Sequence, residues 1–149
     1  MNIFVLHGPN LNLLGEREPE VYGVLTLRTL NAKLSAHARR HGAVLRARQS
    51  NCEGELIDLL HAQRRWADGI AFNPGAYTHY SYALRDAVAA IKIPTIEVHL
   101  SNVAKREPFR RVSVIAPACV GRRFGRGAQS YIQALDDLLA LGRHKDVGP

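Results

Sequence analysis

The amino-acid sequence predicts an α/β fold built on a parallel sheet. Three observations carry this. Short apolar runs alternate with stretches of helical periodicity along the chain. Five strands and four helices fit within 149 residues, the size of one domain. No repeat, linker or low-complexity stretch divides them. Strands that alternate with helices in one small domain imply a parallel sheet covered on both faces.

The elements run in order from the N-terminus. Asn2–His7 reads as a buried strand through Ile3, Phe4, Val5 and Leu6. Thr26–His41 reads as a helix: Leu27, Leu30, Leu34 and Ala38 recur at helical spacing, Thr26 can cap its start, and Gly42 can end it. Ala43–Gln49 is the second strand. Ser50-Asn51-Cys52-Glu53 resembles a capping box, opening a helix to about Ala67 with Leu56, Leu59 and Leu60 inward. Asp68–Asn73 is the third strand, closed by Pro74-Gly75. Thr78 is expected to cap a helix to Ile91, with Tyr80, Leu84, Ala87, Val88 and Ile91 on one face. Pro94–Leu100 reads as the fourth strand and Arg111–Ala116 as the fifth. Ala128–Leu141 closes the chain as a helix buried through Tyr131, Leu135, Leu138 and Leu139. One domain spans 1–149, with 143–149 expected as a flexible tail.

At this size the expected arrangement is a flavodoxin-like three-layer sandwich with strand order 2-1-3-4-5. Ligands of such sheets bind beyond the carboxyl ends of the strands, at the switch between strands 1 and 3. Functional side chains should therefore come just after strands 1, 3 and 4. After strand 1 come His7, Asn10, Asn12, Arg17 and Tyr22. After strand 3 comes Asn73-Pro-Gly-Ala-Tyr-Thr-His79. After strand 4 come His99, Leu100, Ser101 and Asn102, then Arg106 and Arg110. The opposite strand ends offer nothing comparable. Residues 6–23 are also too long for an ordinary connector of about 4–6 residues, which points to a functional loop.

Composition narrows the chemistry. Hydrophobic residues make up 46% of the chain, as in ordinary globular domains. No apolar run approaches the roughly 20 residues of a membrane span, and the start lacks a signal-peptide pattern. Cys52 and Cys119 form no metal-like spacing, so a cytoplasmic setting is expected. Twenty Lys and Arg against 13 Asp and Glu give +7. The basic residues are spread out in doublets that read as solvated faces, so nucleic acid is not the expected partner. No GxxxxGK[ST] loop is present, and Gly121, Gly125 and Gly127 do not space as a dinucleotide loop. No carboxylate or Cys/His set calls for a metal. Amides, hydroxyls, histidines and arginines suit a small hydroxyl-rich anion and proton transfer.

Taken singly, these residues have plainer readings. Asn10, Asn12 and Asn73 are turn formers. Arg17 reads as a solvated charge, and Tyr22 as either a loop anchor or a functional group. His99 is harder to set aside, because it ends an apolar strand at the switch point. Glu97 shares its strand face and either orients the imidazole or forms an ion pair with it.

Four stretches resemble one known family. HGPNLNLLGEREPEVYG, RQSNCEGELID, FNPGAYTHYSYALRDA and IEVHLSNVAKREPFRR are similar to type II 3-dehydroquinate dehydratases, in order and spacing, over nearly all of residues 2–140. The resemblance implies a flavodoxin-like fold and dehydration of 3-dehydroquinate to 3-dehydroshikimate, in the shikimate pathway or in quinate breakdown. It implies anti elimination through an enolate with no metal or organic cofactor. It further implies a homo-oligomer, a trimer at least, with a dodecamer as a tetramer of trimers. By motif position Tyr22 is the base at carbon 2 and His99 the acid at the carbon-1 hydroxyl. Arg17 holds Tyr22 ionised, Asn10 helps hold His99 and an enolate-side water, and Glu97 orients a catalytic partner. Asn73, His79 and Arg110 hold polar groups of the substrate, and the backbone at Leu100-Ser101 holds its carboxylate. Asp86 reaches a neighbouring subunit's site.

Charging a tyrosine whose ordinary pKa is near 10 takes about 4 kcal/mol for a drop of about three units. An exposed arginine does not supply that, so the loop is expected to close over the substrate and exclude water. Gly8, Gly15 and Gly23 are the expected places for that movement. None of the lysines, Lys33, Lys92, Lys105 and Lys145, sits at a predicted strand carboxyl end pointing into the site, which argues against Schiff-base chemistry. GRRFGRG at 121–127 replaces an apolar run in the resembled family. Arg122, Arg123 and Arg126 there must find acidic partners if the segment packs between subunits, or the assembly must differ.

Overall fold

The computed structural model describes residues 1–16, 20 and 24–145. Arg17 and Tyr22 lie outside the described residues, as do Gly23 and the tail from 146. Five parallel strands form one sheet in the order β2-β1-β3-β4-β5, as the sequence predicts. They are β1 (Asn2–His7), β2 (Val44–Gln49), β3 (Gly69–Asn73), β4 (Thr95–Val98) and β5 (Gly121–Arg123). The helices are α1 (Leu27–Arg40), α2 (Glu53–Gln63), α3 (Tyr82–Ile91) and α4 (Ala128–Lys145).

Because successive strand residues point to opposite faces, the apolar strands split their side chains into two cores. Ile3, Val5, Ala71, Ile96 and Val98 pack with Leu30, Leu34 and Ala38 of α1 and with Tyr131, Leu135 and Leu138 of α4. Phe4, Leu6, Ile70 and Phe72 pack with Leu56 and Leu60 of α2 and with Leu84, Val88 and Ile91 of α3. The central strands are therefore covered on both sides. β2 is an edge strand whose alternate residues, Val44, Arg46 and Arg48, are exposed.

Local chemistry sets the helix ends. Thr26 caps α1: its hydroxyl accepts from the Thr29 amide while the Thr29 hydroxyl accepts from the Thr26 amide. Gly42 comes next with φ +72°, a left-handed turn that glycine adopts without a Cβ penalty. Two expected caps are corrected. Ser50 accepts from the Cys52 amide and donates to Glu55, so it does not box with Glu53, and α2 ends at Gln63 rather than Ala67. α3 is capped by Ser81, which accepts from the Leu84 amide, because Gly75–His79 forms its own 3-10 turn. Starting later, the helix leaves Tyr80 exposed rather than inward. Residues 143–145, expected in the tail, belong to α4.

The fifth strand is also corrected. Val112, Val114 and Ile115 make a β-branched apolar run like a strand, but the Ser113 hydroxyl accepts from the amides of Ile115 and Ala116 and curls the chain into a turn. Pro117 then removes a donor. The polar segment Gly121–Arg123 pairs with β4 instead, opposite Ile96, Glu97 and Val98. Gly8 sits where β1 meets the Pro74 turn. A Cβ there would meet the backbone of Pro74 and Asn73 at 2.6–2.8 Å. Its amide donates to the Asn73 carbonyl at 2.7 Å. Glycine is needed at that position for the close approach of two segments of the chain.

Candidate active site

The carboxyl ends of β1, β3 and β4 open into a cleft of about 140 Å³. Asn10, Asn73, His79, His99, Leu100, Ser101 and Arg110 all line it, joined by Arg106. Seven residues read from three separate segments thus meet at one edge, because parallel strands all present their carboxyl ends on the same side. Asp86 does not join them: it sits on the exposed face of α3. A larger hollow, about 330 Å³, opens at the opposite end of the sheet between Met1, His41, Pro94 and Leu138. Its ionisable side chains are limited to His41, Asp68 and Arg143, so it offers no convergent set for catalysis.

Beneath the cleft lies Glu97, fully buried in the middle of β4. Its Oε1 lies 2.6 Å from His99 Nε2 and also accepts from the Thr78 hydroxyl. Its Oε2 accepts from the Ser113 hydroxyl at 2.7 Å. Burial by itself pushes Glu97 toward the neutral acid. The bond and charge of His99, with the two hydroxyls, outweigh burial and hold its carboxyl below the usual range. Ionised Glu97 only accepts, so His99 must carry its proton on Nε2. Nδ1 is then the nitrogen left for a ligand in the cleft.

Sequence reasoning takes Thr78 for a helix cap and Ser113 for a strand residue, and so misses their service to Glu97. The available signal is Glu97 itself: a carboxylate inside an apolar strand demands hydrogen-bond donors. Arg122 escapes the same reasoning. It stands beside Glu97 across the β4–β5 pair, with Nε 3.6 Å from Oε1. Its Nε and Nη2 are buried without a hydrogen bond among the described residues. Arg123 forms a two-pronged pair with Asp137 at 2.7 and 3.0 Å. Two of the unexpected arginines therefore face acidic groups of the chain itself.

The other polar residues are held with donors and acceptors to spare. Asn73 donates from Nδ2 to the Tyr131 hydroxyl and accepts at Oδ1 from the Gly75 amide, both at 3.0 Å. Tyr131 in turn donates to Nδ1 of buried His7 at 3.0 Å, and His7 donates from Nε2 to Asn31 at 2.7 Å. Burial lowers His7 to about 4, despite the Asn31 bond, so it is neutral at pH 7 and this single tautomer satisfies the row. Asn73 keeps one amide hydrogen and one lone pair for a ligand.

His79 donates from Nδ1 to the Val112 carbonyl at 2.7 Å. Burial lowers its pKa, and the nearby positive charges of His99 and Arg110 act in the same direction. A neutral His79 keeps an accepting Nε2 for a ligand of the cleft it lines. Asn10 adopts a left-handed turn at φ +69° and is anchored through its amide to Asn51, while its side chain makes no hydrogen bond to His99. The amides of Leu100 and Ser101 have no acceptor among the described residues. Together with Arg106 and Arg110 they make this end of the cleft a receptor for an anion. Arg110 is steadied by Glu107 at 2.7 Å and by the Phe109 ring.

Fold and cleft together define a parallel α/β protein with a polar, cationic cleft at the carboxyl edge of its sheet. A profile of the family described as Dehydroquinase class II matches residues 1–139, and the chain belongs to that family. A 3-dehydroquinate dehydratase of Pelotomaculum thermopropionicum is 60% identical over 141 residues, 95% of this chain and 98% of the relative. One from Roseiflexus castenholzii is 58% identical, covering 93% of this chain and 88% of the relative. The crystal structure of a type II dehydroquinase from Butyrivibrio crossotus superposes with a TM-score of 0.91 at 46% identity, over 93% of this chain and 97% of that one.

Proposed function

We propose that this chain is a hydro-lyase that converts 3-dehydroquinate to 3-dehydroshikimate by anti elimination. The observation that carries the reading is the His99–Glu97 pair at the floor of a cationic cleft. Its support is the family membership and the named activity of the relatives.

In this reading the substrate carboxylate lies against the Leu100 and Ser101 amides. Asn73, His79 and Arg110 take the ring hydroxyls. Tyr22, as a phenolate held by Arg17, removes the proton from carbon 2 and leaves an enolate. Asn10 binds a water that steadies the enolate oxygen. The enolate then expels the carbon-1 hydroxyl, which takes a proton from His99 and departs as water. Glu97 keeps the imidazolium in place for that step. One proton is gained by Tyr22 and one lost by His99, so solvent exchange resets both. The chain's own residues carry every proton, and the elimination calls for no redox partner.

The reaction serves either aromatic biosynthesis through shikimate or the breakdown of quinate, and the expected site of action is the cytoplasm. Among the described residues no helix is long and apolar enough to cross a membrane. Asp86, exposed on α3 and away from its own cleft, suits a role in a neighbouring subunit's site, so the working unit is a trimer or a tetramer of trimers. Light scattering of the purified chain is expected to give at least three copies, and a monomer with full activity would remove Asp86 from the mechanism.

The decisive assay mixes purified protein with 3-dehydroquinate and tracks the ultraviolet band of the conjugated enone. Tyr22→Phe is expected to abolish turnover while leaving substrate binding largely intact. Turnover retained in that variant would exclude Tyr22 as the base. Absence of the enone band with folded wild-type protein would overturn the function.

A further inference from the structure

At the other end of the sheet, away from the cleft, α1 ends beside α4. His37 lies in the last turn of α1 and His41, four residues on, closes its carboxyl end, so the two rings come to one side with centroids 4.6 Å apart. Asp136 of α4 approaches them, with Oδ1 2.7 Å from His37 Nε2. One nitrogen or oxygen from each of the three lies within 4.8 Å of the others. We propose that His37, His41 and Asp136 form a binding site for one divalent transition cation, with Zn²⁺ as the best-suited ion.

The donor set selects the ion. Two imidazoles and one carboxylate are the ligands of borderline cations such as Zn²⁺, Co²⁺ and Ni²⁺, whereas Mg²⁺ and Ca²⁺ require mainly oxygen. The second contacts are also of the right kind. His41 donates from Nδ1 to the His37 carbonyl at 2.9 Å. That bond fixes its tautomer and leaves Nε2 with a lone pair, the arrangement typical of metal-binding histidines. Asp136 is already directed at His37.

The geometry needs a modest adjustment. A tetrahedral ion with bonds of about 2.0–2.2 Å holds its ligand atoms about 3.4 Å apart. His41 is exposed and the Asp136 side chain is half exposed, so both can rotate to close the longer gaps and to open the short one. Three protein ligands leave a fourth position for water or an anion. Arg39 and Arg40 occupy the same last turn and oppose a cation, so the expected affinity is micromolar rather than tighter. A bound ion would tie the end of α1 to the middle of α4.

The test uses the full chain without an added histidine tag. Co²⁺ is titrated while its visible absorption bands are recorded, and Zn²⁺ is then added as a competitor. One saturable site per chain is expected, displaced by Zn²⁺. His41→Ala and Asp136→Asn should each weaken it by at least about tenfold. His144→Ala, on the same helix as Asp136 but outside the cluster, should bind as the wild type does. At Zn²⁺ about 100 times above Kd the wild type should melt about 5–10 °C higher, and His41→Ala should lose that shift. Binding that survives both ligand variants, binding lost in His144→Ala, or no saturable binding below millimolar metal would each overturn the proposal. In those outcomes His37 and Asp136 form only a surface ion pair.

Discussion

Replacing Glu97 by Gln tests the link between the buried carboxylate and the chemistry above it. The change keeps the shape and removes the charge. In the wild type Glu97 accepts from His99, Thr78 and Ser113, with Arg122 3.6 Å away. With its oxygen at the Oε1 position the glutamine still accepts from His99 and Thr78, and the Ser113 hydroxyl can turn to accept from the new amide at the Oε2 position. A carboxylate and an imidazolium with charge centres about 4 Å apart attract by about 4 kcal/mol at an effective dielectric constant near 20. A neutral hydrogen bond retains about 1 kcal/mol of support. The imidazolium therefore loses about 3 kcal/mol, which is roughly a hundredfold in kcat if His99 is the proton donor. KM should change little, because Glu97 touches no substrate group.

The same variant strands Arg122. Breaking a buried ion pair costs about 3–5 kcal/mol, and the partial exposure of Arg122 reduces this to roughly 1–2 kcal/mol. Melting should fall by several degrees, and Glu97→Gln combined with Arg122→Leu should recover stability but not kcat. The enone assay gives kcat and KM, and circular dichroism gives the melting curve. A folded Glu97→Gln enzyme with kcat within threefold of wild type would refute the positioning role.

Two further expectations rest on the fold. His7 is buried, with its pKa lowered to about 4 from an ordinary 6.5. Between those values the unfolded chain binds a proton that the folded chain does not, so stability falls as pH drops from 6.5 to 4, by about 3 kcal/mol in all. His7→Gln should flatten this slope in melting curves recorded across that range, and an unchanged slope would assign the acid sensitivity elsewhere. Gly8→Ala should destabilise the protein by about 2–4 kcal/mol, because its Cβ would sit 2.6–2.8 Å from the Pro74 and Asn73 backbone, where nothing flexible can yield. A melting temperature equal to wild type would show that β1 and the Pro74 turn can separate.

Much of the site is legible in the sequence because strand ends are readable. A run such as Ile96-Glu97-Val98 announces a buried strand, and the residues just after it must emerge at the sheet edge. Asn10, Asn73, His79, His99 and Arg110 are placed in this way and meet in one cleft. The fifth strand is not legible. Val112–Ile115 is rich in β-branched apolar residues, yet the Ser113 hydroxyl satisfies two backbone amides locally and ends any ladder. Gly121–Arg123 shows no strand pattern and pairs with β4 because that edge needs partners. Thr78 looks like a cap for the same local reason, while the actual cap, Ser81, lies three residues on.

By itself the sequence determined the alternation of strands and helices, the edge at which function gathers, and through its four motifs the family. These depend on periodicity, on turn residues and on the order of short segments, all of which are local. The tertiary structure alone decided which groups surround Glu97, why Gly8 must lack a side chain, and where Arg122 and Arg123 find their acidic partners. Each of those depends on atoms brought within a few ångströms across gaps of 14–66 residues in the chain. Spacing along one strand cannot report such contacts, because the partner is chosen by how the layers pack.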